Sequence, residues 1–181
     1  MIKKTLLVTG GTRSGKSRYA LSLGREHLKK AYIATAQILD EEMRERVRKH
    51  RSERDASFTT VECPLELPQI LLQSFPKFDF ILVDCLTLWL SNCLLSPGGR
   101  SFLENKMEEL LAAVQENQGT LVFVSNEVGM GIVPDTPLGR EFRDWQGSLN
   151  QKIASAAQEV VFMVAGLPMS LKKEEWAYGQ F

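Results

Sequence analysis

The chain has 181 residues, of which 44% are hydrophobic, and it carries 22 basic and 22 acidic side chains. This length and composition predict one domain with a sizeable core over residues 1–181. The balanced charge excludes a long-range field that would attract nucleic acid or anionic lipid. The most apolar stretch, residues 80–90, is interrupted by Asp84. It is far shorter than the ~20 residues of a membrane span, so we interpret it as core or as a subunit contact.

Cysteine usage and the N-terminal residues bear on the cellular compartment. Cys63, Cys85 and Cys93 are odd in number and lack the spacing of a zinc site. They are interpreted as buried or idle thiols in a reducing compartment. The apolar run at residues 5–9 is too short for a signal peptide and leads straight into a glycine-rich segment. We therefore expect a cytoplasmic protein.

Short β-rich segments alternate with helical ones along the whole chain. In chain order the pattern predicts strand 5–9, helix 16–29, strand 31–35, helix 40–51, strand 58–62, helix 65–73, strand 78–85, helix 101–117, strand 120–126, helix 136–157 and strand 159–166. Glycine and proline predict loops at 96–100 and 129–137. Repeated βα units with continuous apolar strands predict an α/β fold, a mainly parallel sheet with helices on both faces. Ligands of such sheets bind beyond the carboxyl ends of the strands.

Residues 8–17, "VTGGTRSGKS", have the spacing of a P-loop. Gly10 and Gly15 permit a close backbone approach to phosphates, Lys16 neutralises the outer phosphates, and Ser17 offers a hydroxyl to Mg²⁺. The alternative is a glycine turn that binds no nucleotide. The apolar strand before the loop and the helical pattern after it favour the nucleotide site, because that is the context the motif requires.

Asp84 ends a run of four apolar residues in the fourth predicted strand. P-loop proteins place the carboxylate that holds Mg²⁺, directly or through water, in this setting. The alternative role is a cap for the following helix. We favour the metal role, because an unpaired buried charge is costly and needs a reason.

His50 lies near the end of a segment with acidic residues first and basic residues last. On a helix it falls within the narrow apolar stripe of Leu39, Met43 and Val47, so its ring is expected to point toward the protein body. One interpretation is a core histidine bonded to the backbone. His27, near the end of the helix that follows the P-loop, is expected to cap that helix instead.

A cluster of cations favours a second interpretation of His50. Its neighbours are Arg46, Arg48, Lys49, Arg51 and Arg54. A charge run is usually a solvated face, but these side chains can bind phosphate oxygens, and nearby cations also disfavour the protonated imidazole. An inward histidine beside them on a P-loop fold indicates attack of the imidazole on phosphorus, which is covalent nucleotidyl transfer.

Five segments together carry a resemblance to one family: "VTGGTRSGKSRYA", "YIATAQILDEEMRERVRKHR", "TVE", "ILVDCLTLWLSN" and "VSNEVGMGIVP". They resemble the bifunctional adenosylcobinamide kinase and adenosylcobinamide-phosphate guanylyltransferase of cobalamin assembly. The resemblance implies that ATP or GTP phosphorylates adenosylcobinamide. GTP then loads GMP onto His50 with release of pyrophosphate, and adenosylcobinamide phosphate takes the GMP to give adenosylcobinamide-GDP. It also implies a RecA-like P-loop fold assembled as a homotrimer, which would suit the apolar segment 85–95 and the aromatic tail Trp176, Tyr178 and Phe181.

The same resemblance assigns the nucleotide-binding residues. They are Thr9, Gly10, Gly11, Thr12, Arg13, Ser14, Gly15, Lys16, Ser17, Ile33, Ala34, Thr35, Arg51, Ser52, Glu53, Arg54, Glu62 and Asp84. His50 and Lys16 are the expected catalytic residues, and Ser17 and Asp84 the expected Mg²⁺ ligands. The chain departs from some family members at Lys49 and Asp55, which affects the local loop shape. The assignment of GTP as substrate rests on the resemblance, because the chain has no Asn-Lys-x-Asp run of the kind that recognises guanine.

The segment "SNEVGMGIVP" has two interpretations, a simple strand end with a turn or part of the site. With the resemblance, Asn126 and Glu127 are expected to face the cleft, and Gly129 and Gly131 to let the loop move as the corrinoid enters. Two other functions stay open from the residues alone. One is a simple small-molecule kinase in which His50 is structural, and the other is a regulatory module that uses nucleotide as a conformational switch.

Overall fold

The computed structural model describes residues 3–37, 41, 45 and 57–173 of the chain. The strands in these ranges are β1 (Lys4–Gly10), β2 (Lys30–Ala34), β3 (Phe58–Glu62), β4 (Phe80–Asp84), β5 (Thr120–Val124), β6 (Glu159–Val164) and β7 (Leu167–Lys172). The labelled helices are α1 (Lys16–Leu23), α2 (Leu67–Ser74), α3 (Leu86–Leu94), α4 (Gly99–Gln115) and α5 (Pro137–Ala156).

The seven strands form one sheet in the order β3-β2-β4-β5-β1-β6-β7. Strands β1 to β6 are parallel, and β7 is antiparallel to β6. The carboxyl ends of β1, β4 and β5 therefore meet at one edge of the sheet, with β5 between the other two. We call this edge the carboxyl edge.

Two apolar clusters cover the two faces of the sheet. On one face, Leu7 and Phe123 pack with helices α2, α3, α4 and α5. On the other face, Val8 and Val122 pack with α1. Successive side chains of a strand point to opposite faces, so a sheet covered on both faces needs continuous apolar strands. The predicted α/β fold with a mainly parallel sheet is confirmed.

The helix after the glycine-rich loop is shorter than predicted. The sequence predicts a helix over 16–29, but α1 ends at Leu23. The next residue is Gly24, whose N–H donates to the carbonyl of Leu21 at 3.2 Å. A Cβ at Gly24 would lie 2.9 Å from the ring of Phe80. The chain turns here because only a glycine can pass so close to the core ring.

The prediction that His27 caps this helix is therefore wrong. The helix has ended before His27, whose ring centroid lies 5.1 Å from that of Phe80. Its Nδ1 atom is 3.7 Å from the carboxylate of Asp79. Asp79 directly precedes β4, so His27 lies at the amino edge of the sheet, opposite the carboxyl edge.

Two elements of the structure were not predicted. Residues 86–94 form α3, in which six of the nine residues are buried, among them the fully buried Trp89 and Leu90. This confirms the core interpretation of that stretch. Strand β7 follows a two-residue turn at Ala165 and Gly166, whose φ angles of 51° and 82° are those of a tight hairpin. Most of its side chains are exposed, so it lacks the apolar signal of the other strands.

The other predicted elements match helices or strands with ends within two residues. The exception is the helix predicted over 40–51, where only Glu41 and Glu45 are described, and both are helical. None of the helices in the described ranges is both long enough and apolar enough to span a bilayer.

Neighbouring leucines on α2 test the packing of the core. Leu71 is 0% exposed and Leu72 is 47% exposed. We expect Leu71→Ala to lower the free energy of unfolding by about 2–5 kcal/mol, because it removes buried methyl groups and leaves a cavity. Leu72→Ala is the matched control and should cost less than about 1 kcal/mol. Urea unfolding measures both, and equal losses would contradict the placement of this helix.

Candidate active site

The loop between β1 and α1 is held close to the backbone of β6. Gly10 has φ 143°, and a Cβ there would lie 2.3 Å from the carbonyl oxygen of Met163. Gly15 has φ 95° and is the N-cap of α1. Both glycines of the sequence motif thus adopt backbone conformations that other residues rarely reach. Arg13 also has a positive φ, 56°, which marks a tight turn within the loop.

The β6–β7 turn completes the wall of this loop. The Gly166 N–H donates to the carbonyl of Ser14 at 3.1 Å. A Cβ at Gly15 would lie 3.4 Å from the Cα of Gly166. The antiparallel hairpin that the sequence did not predict therefore buttresses the loop.

Lys16 is buried at the start of α1. Its Nζ donates to the carbonyl of Gly11 at 2.6 Å. Burial lowers the pKa of Lys16, and the neighbouring Cys85 and Asp84 oppose that shift. An anion bound beside Nζ would favour the charged form in the same way. A role for this lysine in binding phosphate stays a prediction.

Two buried hydroxyls of the loop have no hydrogen-bond partner among the described residues. They are Thr9 Oγ1 and Ser14 Oγ. Buried polar atoms are nearly always paired, so each unpaired one needs an explanation. A phosphate in the loop offers acceptor oxygens to the Ser14 hydroxyl. Thr9 lies on β1 next to Val8, and alternation places its side chain on the face of the sheet opposite α1. Of the other loop residues, Gly11, Thr12 and Arg13 are exposed, and Ser17 is half-buried on the first turn of α1.

Asp84 ends β4 on the face of the sheet that carries α1. Its Oδ2 accepts a hydrogen bond from the Tyr32 hydroxyl at 2.9 Å. The N-cap residue of α3 is Cys85 and not Asp84, so the capping alternative for Asp84 is wrong. Burial, together with the adjacent Asp84 carboxylate, raises the pKa of the Cys85 thiol to about 12, so this cysteine stays a neutral thiol.

Mg²⁺ would have few protein ligands at this edge. No group of three or more His, Cys, Asp or Glu side chains that could hold a metal occurs among residues 3–37 and 57–173 and the two isolated glutamates. A hydroxyl from Ser17 and a carboxylate from Asp84, with phosphate oxygens and water, are a donor set that suits Mg²⁺, which keeps several waters.

The carboxyl ends of β2, β3 and β4 lie at the same level. Ala34 is paired in register with Glu62 on one side and with Asp84 on the other. Ile33 is buried, Ala34 half-buried and Glu62 exposed. A role for these residues in nucleotide binding stays a prediction.

Thr35 links β2 to β4 and α3. Its hydroxyl donates to the Cys85 carbonyl at 2.7 Å and accepts from the Cys85 N–H at 2.8 Å. Its own carbonyl accepts from Asn92 Nδ2 at 2.8 Å. The Thr35 side chain therefore positions the peptide that follows Asp84.

Part of the predicted site lies outside the described residues. This part comprises His50, Arg51, Ser52, Glu53 and Arg54, and also the aromatic tail Trp176, Tyr178 and Phe181. The described part of the site consists of the loop, Asp84 and the ends of the neighbouring strands.

The backbone after β5 approaches the loop, and the expectation that the Asn126 and Glu127 side chains face the cleft stays a prediction. The Glu127 N–H donates to the Gly10 carbonyl at 3.0 Å. The Glu127 carboxylate accepts from the Gly129 N–H at 2.6 Å, so it shapes the turn that follows. The buried polar residues behind this segment were not predicted; they are Thr87, Ser125, Gln146 and Asn150. The only signal for them is the presence of Gln146 and Asn150 one turn apart on α5.

Comparisons with known proteins agree on one family. Residues 6–171 match the family model described as cobinamide kinase / cobinamide phosphate guanyltransferase. The bifunctional adenosylcobalamin biosynthesis protein CobP of Pseudomonas aeruginosa is 46% identical over 169 residues, which cover 93% of this chain and 97% of that protein. The corresponding CobU proteins of Salmonella typhimurium and Escherichia coli are 40% and 38% identical, each over 92% of this chain and 99% of their own length.

Solved structures resemble the chain in fold. A KaiC-like protein of Pyrococcus horikoshii has a TM-score of 0.53 at 14% identity, covering 96% of this chain and 80% of its own. An ATPase of a bacterial type III secretion system has a TM-score of 0.58 at 11% identity, covering 93% of this chain and 57% of its own. At such identities the likeness shows the fold alone, a single α/β architecture of the RecA type.

Adjacent glycines in the loop test its geometry. A Cβ at Gly10 meets a backbone oxygen, whereas nothing lies within 4 Å of a Cβ at Gly11, which has no positive φ. Gly10→Ala should lower the free energy of unfolding of the nucleotide-free protein by about 2 kcal/mol or more, because backbone must move. Gly11→Ala should change it by less than about 1 kcal/mol. Thermal and urea unfolding of the two variants measure the difference, and a Gly10→Ala protein as stable as wild type would contradict the close approach.

Proposed function

This chain belongs to the cobinamide kinase / cobinamide phosphate guanyltransferase family, and we propose that it binds its nucleoside triphosphate in the loop of residues 9–17 and carries GMP on His50. The protein is an enzyme with two activities. It phosphorylates adenosylcobinamide, and it transfers the guanylyl group of GTP to adenosylcobinamide phosphate.

The observation that carries the proposal is the conformation of the loop between β1 and α1. Lys16, although buried, bonds to the Gly11 carbonyl inside the loop, and the Ser14 hydroxyl of the same loop has no hydrogen-bond partner among the described residues. In the kinase step the substrate hydroxyl oxygen attacks the γ-phosphorus of ATP or GTP. The bond from that phosphorus to the bridging oxygen breaks, the nucleoside diphosphate leaves, and the hydroxyl proton passes to solvent. Lys16 stabilises the negative charge that gathers on the phosphoryl oxygens.

In the transfer step the nucleophile is the His50 imidazole. A ring nitrogen attacks the α-phosphorus of GTP, the bond to the pyrophosphate oxygen breaks, and pyrophosphate leaves. A phosphate oxygen of adenosylcobinamide phosphate then attacks the same phosphorus, and the nitrogen–phosphorus bond breaks. The product is adenosylcobinamide-GDP with His50 restored. The cationic side chains around His50 in the sequence, among them Arg51 and Arg54, suit the oxygens of this phosphate chain.

The remaining assignments follow from the family resemblance and, for the described residues among them, from their position at the carboxyl edge. We propose that Ser17 and Asp84 hold Mg²⁺, which when bound neutralises phosphate charge during transfer. Residues 33–35, 51–54 and Glu62 would complete the nucleotide site. A single-domain cytoplasmic enzyme that assembles as a homotrimer is part of the same proposal. The strongly exposed apolar side chains of Met130 and Ile132 suit a surface that meets a partner or the corrinoid.

The histidine assignment has a matched control, because the chain has two histidines. With α-³²P-GTP, wild type should retain label as a phosphoramidate that is stable to base and labile to acid. His50→Ala should lose this label and guanylyl transfer, and keep kinase activity. His27→Ala, changed at the amino edge of the sheet, should still become labelled. A His50→Ala protein that still labels itself would show that the nucleophile is another residue, and a wild type that never retains label would favour the simple kinase.

Asp84 can be tested through the metal requirement. Asp84→Asn keeps an acceptor for the Tyr32 hydroxyl but removes the charge that attracts Mg²⁺. We expect the Mg²⁺ concentration at half-maximal kinase rate to rise by about tenfold or more. Tyr32→Phe removes only the donor and is the control, with a smaller shift. A Mg²⁺ profile of Asp84→Asn that matches wild type would contradict the metal role.

A further inference from the structure

The segment after β5 continues the pairing with β1 up to the start of the P-loop. The Ser125 N–H donates to the Val8 carbonyl, and the Glu127 N–H donates to the Gly10 carbonyl, each at 3.0 Å. Asn126 lies between these two bonds. Its backbone is therefore held beside the residues where the loop leaves the sheet.

The side chain of Asn126 belongs to the face of the sheet that carries α1. Along β5, Val122 and Val124 pack on the α1 face, and Leu121 and Phe123 pack on the other. Alternation places Asn126 on the α1 face, two residues beyond Val124. Val124 is in register with Asp84 on the adjacent strand. The Asn126 carboxamide thus lies on the same face as the Asp84 carboxylate and the P-loop helix.

Two helices clamp the Asn126 peptide from opposite ends. Its N–H donates to Thr87 Oγ1 of α3 at 2.8 Å, and its carbonyl accepts from Asn150 Nδ2 of α5 at 3.0 Å. Asn150 Oδ1 in turn accepts from Ser125 Oγ at 2.6 Å and from Gln146 Nε2 at 3.0 Å. These partners are all buried. A connected buried network of this kind permits few arrangements of the peptide it holds.

The Asn126 side chain itself is not used by this network. It is half-buried, and among the described residues no hydrogen bond involves its carboxamide. The backbone is fixed on both sides while the neutral amide remains available at the carboxyl edge. Such an arrangement suits a group that must be held in place for a ligand.

We propose that Asn126 is a further catalytic residue of the kinase step, whose side-chain N–H donates to an oxygen of the transferring γ-phosphoryl group. Thr87 and Asn150 are positioning residues that hold its peptide. The proposal rests on the binding of the triphosphate by the P-loop. A neutral donor at this point stabilises charge that grows on the phosphoryl oxygens in the transition state, and it does not repel the bound nucleotide.

The direct test compares Asn126→Ala with Asn126→Asp. Removal of one preorganised donor should lower the kinase kcat by about 100-fold in Asn126→Ala, with a nucleotide Kd within about threefold of wild type. Asn126→Asp has nearly the same shape but places a negative charge beside the phosphates, so it should lower kcat further and weaken nucleotide binding. A kcat of Asn126→Ala within about threefold of wild type would overturn the proposal.

Variants of Thr87 distinguish a role in positioning the Asn126 peptide from a general effect on stability. Thr87→Val removes the acceptor of the Asn126 N–H with little change of shape, and should lower kcat by about tenfold. Thr87→Ser restores the hydroxyl and should recover most of that loss. Thr5→Val is the matched control, because Thr5 is also a buried threonine whose hydroxyl meets a buried asparagine, Asn117 Nδ2 at 3.3 Å, but at the amino edge. It should lower Tm and leave kcat within about twofold.

The outcomes distinguish this proposal from the function on which it rests. Equal losses of kcat in Thr87→Val and Thr5→Val, or no recovery in Thr87→Ser, would overturn the positioning role. Lys16→Ala tests the P-loop separately and should abolish nucleotide binding. If Lys16→Ala bound nucleotide as wild type does, the P-loop assignment itself would fail, whatever the Asn126 variants show.

Discussion

The close backbone approach between Gly10 and Met163 is the constraint on which the rest of the site depends. With a Cβ at position 10 only 2.3 Å from the Met163 oxygen, the loop can leave β1 in this direction only through a glycine. The β6–β7 turn supports the same loop from the side, through the bond from Gly166 to Ser14. The loop is thus shaped by backbone on both sides, and its N–H groups can be aimed at an anion before any ligand arrives.

The order of the strands turns this loop into a site. Strand β5 separates β1 from β4, so the P-loop and Asp84 have the space of one strand between them. The chain segments that leave β4 and β5 line this part of the carboxyl edge, and buried polar side chains hold each segment by hydrogen bonds. Thr35 holds the Cys85 peptide, and Thr87 with Asn150 holds the Asn126 peptide. Both clamps are made between side chains and backbone, which fixes the direction of the chain where no regular ladder continues.

Local patterns in the sequence were enough to predict the parallel sheet, the glycines that shape the loop, and the positions of Lys16 and Asp84 at the carboxyl edge. Prediction from hydrophobic patterns failed for elements without a clear difference between a polar and an apolar face. Helix α3 is short and mostly apolar, with six of its nine residues buried, and β7 is exposed on most of its length, so neither has a clear pattern of polar and apolar faces. The end of α1 involves the contact of Gly24 with Phe80, and the Asn126 peptide is held by Thr87 of α3 and Asn150 of α5, two helices on the same face of the sheet. These contacts join residues far apart in the chain, and no local pattern encodes them.

The buried charge of Lys16 links nucleotide binding to the stability of the fold. Burial lowers the pKa of Lys16 below its ordinary 10.5, so the unfolded chain holds this proton more tightly than the folded one. The charged lysine therefore destabilises the fold at neutral pH, and this penalty disappears only as the pH rises toward 10.5. A phosphate beside Nζ acts in the opposite direction, because it favours the charged form. With the unpaired hydroxyl of Ser14 in the same loop, the free loop destabilises the fold locally, and a bound triphosphate would relieve this cost. The residues that make the site reactive are thus the ones that make its stability depend on the nucleotide.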